Sequence, residues 1–334
     1  MNEIRHQILD WQAQGLINKN NISQALETTG ANNTPKQWFH FITQTLLWLS
    51  VLSVAFGVIF FFAYNWDNIS TATKFVMIQV LMLVALLAYT QTQRYSNANT
   101  AILFFLALLL GSLFALFGQT YQTGKDPWQL FMIWTLFVTP IAFTSRSSSL
   151  WLLWLGLAFL TLNLNLGARF GILSAIFDNE RGLLLHAILG IFATVLFETL
   201  YYVRYKLIHN RIASQVAIVA TMVAFTWVSI YSIFDFNIYA IDGILYLVWM
   251  ALVYFVYRVK KIDVLVLSSW VVSGIIYIVS ILAKMIDDDL GGGTFLFFAL
   301  VIIGLSTLGG KWLMSLLKEQ KDKTLNEDLP GENP

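Results

Sequence analysis

Residues 101–143 read AILFFLALLLGSLFALF, then GQTYQTGKDPWQL, then FMIWTLFVTPIAF, and this stretch decides the fold. The first run, 101–117, and the last, 131–143, contain no charged residue. Between them lie Gln119, Tyr121, Gln122, Lys125 and Asp126, bracketed by Gly118, Gly124 and Pro127. Two uncharged runs joined by a short polar connection read as two membrane-crossing helices with a shaped turn outside the lipid. The connection mixes amides, aromatics, an acid, a base and backbone breakers. A plain solvent loop needs fewer of these.

Working outward, the whole chain has bilayer composition. Apolar residues make up 57% and charged residues 12%, against roughly 25% charged in soluble domains. The mean hydropathy is +0.68. A formal net charge of +1 gives no electrostatic reason to expect a nucleic-acid partner. Cysteine is absent, which excludes disulfides, thiolate chemistry and Cys-based metal sites.

A span needs roughly 20 mostly apolar residues. On that criterion the sequence predicts about ten, at 39–63, 73–90, 101–118, 128–144, 150–167, 182–203, 213–233, 238–257, 262–284 and 294–313. The expected fold class is therefore an all-α, polytopic helical membrane protein. Residues 1–37 form a cytosolic amphipathic helical segment and linker, 38–313 the transmembrane bundle, and 314–334 a charged, disordered cytosolic tail. Within the first segment, Ile4, Ile8 and Trp11 share a helix face, Gly15 stops that helix, and Asn20 or Asn21 caps a second one. The first forty residues lack an early apolar core, so the first span is expected to act as an uncleaved anchor.

Lys and Arg placement orients the bundle. Fifteen lie on the side of both termini, including Arg204, Lys206, Arg211, Arg258, Lys260 and Lys311. Five lie on the other: Lys74, Lys125, Arg169, Arg181 and Lys284. Both termini are then cytoplasmic. Two five-span halves would be inverted relative to each other, as in many transporters, but no residue-level match supports the repeat.

Polar residues near or within the spans are the candidate site residues. Ala107, Gly111, Ala115 and Gln119 recur four apart, a close-packing pattern that brings Gln119 out near the outer end. Gln119, Tyr121 and Asp126, with Trp128 as an interfacial wall, form a candidate outward-facing binding cluster. Asp242 lies one turn inside the eighth span, level with Asn163 and Asn165. Two Asn two residues apart on a helix point to different sides, so at most one faces a given cavity. In the sixth span His186, Gly190, Thr194 and Glu198 recur four apart. That stripe reads either as packing with interfacial ends or as a proton or ion path, since His and carboxylate chains recur in pumps. The run Asp287-Asp288-Asp289 lacks the spacing of a calcium loop. No phosphate-binding loop, His-Glu-x-x-His or Gly-x-Ser-x-Gly occurs, so no catalytic residue, cofactor or metal is assigned.

Three places carry a family resemblance: Trp11 with Gly15-Leu16-Ile17, Asn65-Trp66-Asp67, and Gly118-Gln119-Thr120-Tyr121-Gln122 followed by Asp126-Pro127-Trp128. With these the chain resembles a bacterial multi-pass membrane-protein family, domain of unknown function 2157, across its first 150 residues or so. The resemblance implies an integral inner-membrane protein with a cytosolic N-terminal helical segment. It carries no activity, and it groups Asp67 with Asp126 on the outer side. The leading expectation is a transporter-like bundle for a small solute or ion. The alternatives are a non-transporting scaffold or sensor that meets a cytosolic protein through residues 1–30, and, third, a membrane enzyme acting at the outer face. The lipid bilayer is the expected partner in all three.

The charge bias makes one prediction. In this Cys-free chain, Gly124→Cys should react with an impermeant maleimide from the outer side only. Labelling from the cytoplasmic side alone would invert the topology.

Overall fold

The computed structural model describes residues 8, 11–12, 14–18, 21–29, 35–64, 68–121, 126–170, 180–202, 208, 210–234, 236–260, 262–286 and 292–327. Among them there is no strand. The helices are α1 (Ile22–Thr28), α2 (Pro35–Tyr64), α3 (Thr71–Gln91), α4 (Asn97–Tyr121), α5 (Trp128–Ser145) and α6 (Ser148–Phe170). They continue as α7 (Glu180–Tyr202), α8 (Ile212–Phe234), α9 (Phe236–Tyr254), α10 (Val264–Met285) and α11 (Gly292–Glu327). A π-helical turn, Phe255–Lys260, follows α9 directly. Ten of these helices, α2 to α11, are long and apolar enough to cross a membrane. They coincide in order with the ten expected spans.

The chain divides into two compact units, Met1–Leu113 and Phe114–Pro334, with the division inside α4. In the first unit, Ile8 and Leu26 are buried against Ile17, Ile22 and Ala25. Gly15 has φ +75°, the left-handed region that glycine tolerates best, and Leu16 N donates to Trp11 O at 2.9 Å. The sequence-predicted stop is therefore a helix terminus, and α1 begins one residue after Asn21. Ile4 lies outside the described residues. Pro35 opens α2 at the position where a missing N–H costs nothing. The side chain of Asn99 on α4 donates to Thr92 Oγ1 at 2.9 Å just beyond the end of α3, and Trp48 meets Phe104 edge to face at 5.6 Å.

The second unit is built around α8. This helix buries Ser214, Ala217, Ile218, Thr221, Met222, Phe225, Val228 and Ser229, among others, on one broad face, while Ile212, Val216, Val223, Trp227 and Phe234 stay exposed on the other. It packs against α6, α7, α9 and α10, while α5 pairs with α6 and α11 with α10. Small residues permit the closest of these crossings. A Cβ at Gly190 on α7 would lie 2.1 Å from Thr221 Oγ1 and 3.0 Å from Thr221 Cβ on α8. A Cβ at Gly243 on α9 would lie 2.2 Å from Ser232 Oγ. Pro140 sits inside α5, and α5 continues through it to Ser145.

One boundary differs from the sequence expectation. The tail expected from residue 314 is helical through Glu327, and 328–334 lie outside the described residues. Two contacts hold the extension. Leu316 is buried in the core cluster with Tyr257 and Leu267, and Arg258 pairs with Glu319 at 3.0 Å. Composition marked the segment as polar, but the leucines on one face give the helix something to pack on.

Replacing Gly190 with Ala should therefore lower the unfolding temperature in detergent, because overpacking costs about 1–3 kcal/mol. Adding Thr221→Gly should recover part of the loss. Gly156→Ala, where nothing lies within 4 Å of the new Cβ, is the control and should not destabilise.

Candidate functional site

Three charged residues of the second unit, Glu198, Arg211 and Asp263, meet near the end of α7 and the starts of α8 and α10. Arg211, the residue before α8, donates from Nη2 to Glu198 Oε1 at 2.6 Å and from Nη1 to Asp263 Oδ2 at 2.7 Å. Glu198 sits near the end of α7 and also accepts from Ser214 Oγ at 2.5 Å and Tyr257 Oη at 3.1 Å. Asp263 caps α10, accepting from Val266 N at 3.3 Å, and takes Gln215 Nε2 at 3.0 Å. The guanidinium also lies 5.5 Å from the centroid of the Tyr257 ring, within cation–π range.

All three charged side chains are largely buried, at 12%, 18% and 5% exposed for Arg211, Glu198 and Asp263. Burial disfavours the Arg211 charge, but the Glu198 hydrogen bond and the two carboxylates outweigh it and hold the guanidinium pKa above its usual value. The cluster carries two negative charges and one positive. Removal of the arginine would leave two carboxylates facing each other in a poorly hydrated place. Its remaining nitrogen, Nε, is buried without a hydrogen-bond partner.

A second feature lies near mid-depth between α8 and α10. A cavity of about 600 Å³ is lined by Met222, Val223, Trp227, Val272 and Ile276, with the hydroxyls of Thr226, Ser268, Ser269 and Ser273. Thr226 Oγ1 and Ser273 Oγ are 2.7 Å apart, and Tyr246 Oη reaches Ser273 Oγ at 3.0 Å. No charged residue lines this cavity.

The sequence-predicted outer residues are not assembled to the same degree. Asp67 lies outside the described residues, with Asn65 and Trp66. Gln119 is exposed although Ala107 and Gly111 of its four-residue series are buried. Tyr121 is exposed and packs on the Phe117 ring at 4.7 Å. Asp126 and Asp242 are half-buried. Trp128 lines a cavity of about 500 Å³ with Thr161, Asn165 and Leu185. Asn165 faces that cavity and Asn163 does not, as two residues of helix separation require. Asn163 Oδ1 is instead buried without a hydrogen-bond partner.

The stripe on α7 divides. His186 Nδ1 lies 2.7 Å from Gly182 O, and its ring stacks on Phe159 at 5.8 Å. Glu198 belongs to the inner cluster. The two are twelve residues apart, about 18 Å along a helix. Between them Gly190 is pressed against Thr221, and Thr194 Oγ1 is buried without a hydrogen-bond partner. No hydrogen bond or ion pair links His186 to Glu198 among the described residues.

Arg211, Ser214, Gln215, Tyr257 and Asp263 were missed by sequence reasoning. Arg211 and Asp263 each immediately precede an apolar run, the usual place for charges at span ends, and nothing in their spacing shows that they meet. The Asp-x-x-Val pattern before α10 was a readable helix cap.

Residues 9–151 match the family model described as predicted membrane protein (DUF2157). The match covers the N-terminal helices up to the start of α6 and stops short of the inner cluster and the mid-depth cavity. No curated protein and no solved structure matches the chain.

Arg211→Gln should be strongly destabilising, by about 3–5 kcal/mol, as expected when one partner of a buried ion pair is removed. The triple variant Arg211→Gln, Glu198→Gln, Asp263→Asn should regain much of that loss, because no charge is then left unpaired. Thermal unfolding of the purified protein measures both. Simple additivity of the three substitutions would show that the cluster does not act as a unit.

Proposed function

We propose that this multi-pass membrane protein is a transporter-like helical bundle that binds a small solute near the middle of the membrane. The observation that carries this reading is the cavity of about 600 Å³ between α8 and α10. Its size is within the usual 300–1,000 Å³ for small-molecule sites, and transporter sites sit near the bilayer midplane. The Arg211–Asp263 pair ties the inner ends of the same two helices. In this reading the pair is the inner closure, and Glu198 holds the arginine in place on the α7 side. Gln119, Tyr121, Asp126, Trp128 and Asp242 are then the outer approach, with His186 near the outer end of α7. Both termini are cytoplasmic, and the host membrane is the bacterial inner membrane. The middle of most other spans is apolar, which points to one site rather than a continuous polar channel.

A scaffold or sensor reading has its own observation. Over the small core of Ile8 and Leu26, Trp11 is 48% and Leu16 is 71% exposed. Two apolar side chains left open on a helical cap suit contact with a cytosolic protein. This reading needs no solute and no opening of the cavity.

Accessibility separates the two. Ser269→Cys, the sole thiol, should react with a water-soluble maleimide in membranes. The rate from the cytoplasmic side should rise when the triple variant Arg211→Gln, Glu198→Gln, Asp263→Asn, which keeps its fold, is added. No reaction from either side, with or without those three substitutions, would remove the transporter-like reading and leave the scaffold.

A further inference from the structure

The cavity that Trp128 lines has a polar end and an apolar end. It lies within the second unit, between α5, α6 and α7, with a volume of about 500 Å³. Trp128 is the first residue of α5, and Asn165 stands just before Gly167, where the apolar span of α6 ends. Both are therefore at the membrane-surface end of the cavity. Ala158 and Phe192 line the other end, about two helical turns, or about 10 Å, deeper than Asn165 and Leu185. Between the ends, Thr161 Oγ1 donates to Leu157 O at 2.7 Å and is satisfied within its own helix. The Trp128 indole and the Asn165 carboxamide have no hydrogen-bond partner in the protein among the described residues. An indole nitrogen can only donate, and a carboxamide carries two N–H donors whichever way it is turned. The donors at this end are thus set by residue type alone. No charged side chain among the described residues lines the cavity. Leu185, Ile188 and Phe192 are 44%, 59% and 57% exposed, so the cavity is a groove open on the lipid-facing side of α7.

We propose that this groove holds one ester-linked bilayer lipid, whose ester carbonyl accepts from Trp128 Nε1 and the Asn165 carboxamide while one acyl chain runs along Ile188 and Phe192 toward mid-depth. Depth, polarity and charge together carry the assignment. A diacyl lipid has its ester carbonyls at the boundary between headgroup and chains, which is the level of Trp128 and Asn165. An ester accepts hydrogen bonds and cannot donate them, so it complements donors that the protein leaves unpaired. An indole with an apolar body and one polar handle suits that boundary. With no charge in the lining, the headgroup stays in water and does not decide the fit. A charged solute would lie in the groove without a countercharge. A bare hydrocarbon chain would use the deep end and leave both polar groups to water. The inference goes beyond the transporter-like reading. The lipid site needs neither a solute nor an opening of the mid-depth cavity, and it makes Trp128 a lipid contact on the flank of the outer approach.

The test uses two photoreactive lipids, a diester phosphatidylcholine with a mid-chain diazirine and its diether counterpart, which lacks both carbonyls. Each is a trace component of otherwise identical nanodiscs that hold the wild-type protein. Labelling of residues 155–166 and 183–193 is quantified by mass spectrometry. It is divided by the labelling of residues 295–303, where Phe295, Leu296, Leu300 and Ile303 of α11 are exposed. This ratio should be about fivefold higher for the diester, which is what one net hydrogen bond of about 1 kcal/mol gives. The preference should persist when the choline head is exchanged for glycerol. Trp128→Phe and Asn165→Leu should each bring the diester ratio down toward that of the diether. Equal ratios for the two lipids on wild type would overturn the proposal and leave the groove to bulk chains. A preference that follows the headgroup and not the linkage would overturn it as well. Neither comparison needs a variant, so poor folding of a substitution leaves them decisive. The outcome is separate from the thiol experiment. Diester preference with an unreactive Ser269→Cys keeps the lipid site and removes transport. Equal ratios with a reactive thiol keep transport and remove the lipid site.

Discussion

One guanidinium joins neighbouring ends of α7, α8 and α10 and the turn after α9. Arg211 is shared between Glu198 on α7 and Asp263 at the start of α10, with Tyr257 from the turn after α9 completing the set. Four helix ends are registered by one side chain. In lipid, where there is little hydrophobic force between helices, association depends on close packing and on such polar contacts. The Gly190–Thr221 crossing supplies the packing and the Arg211 cluster supplies the register. Each constrains α7 against α8 at a different depth, which fixes the relative sliding of the two helices.

The fold was legible because bilayer thickness imposes a length on every apolar run. All ten spans could be placed from composition and span length alone, and the Gly15 stop followed from backbone chemistry. The end of α11 was not legible. Its polar composition suggested a tail, while Leu316 and the Arg258–Glu319 pair depend on which neighbour it lies against. The candidate site was only partly legible for the same reason. Glu198 could be singled out because an ionisable residue inside a span is costly wherever it points. Arg211 and Asp263 could not, because charges just outside spans are ordinary, and their pairing across fifty residues of sequence is a property of the packed bundle. The hydroxyls of Thr226 and Ser273 are individually unremarkable in membrane helices, and only their juxtaposition gives the cavity a polarity.

The two features of the second unit also differ in kind. The Arg211 cluster is crowded with paired donors and acceptors around a shared charge, Arg211 Nε excepted, so it favours one arrangement. The cavity has loose apolar walls and a fixed hydroxyl chain at its floor. A bundle with a rigid end and an open middle concentrates whatever deformation it undergoes in the spans rather than in their inner connections.

The length of α11 has a mechanical consequence. Its 36 residues make a rod of about 54 Å, against a hydrocarbon thickness of about 30 Å. Roughly 20 Å of continuous helix therefore extends beyond the hydrocarbon layer. Gly309 seats this rod on Val271 of α10, partway along its length. The Arg258–Glu319 pair also ties the rod to the turn after α9. Rotation of α10 about the Gly309 contact then displaces the far end of the rod more than the contact itself.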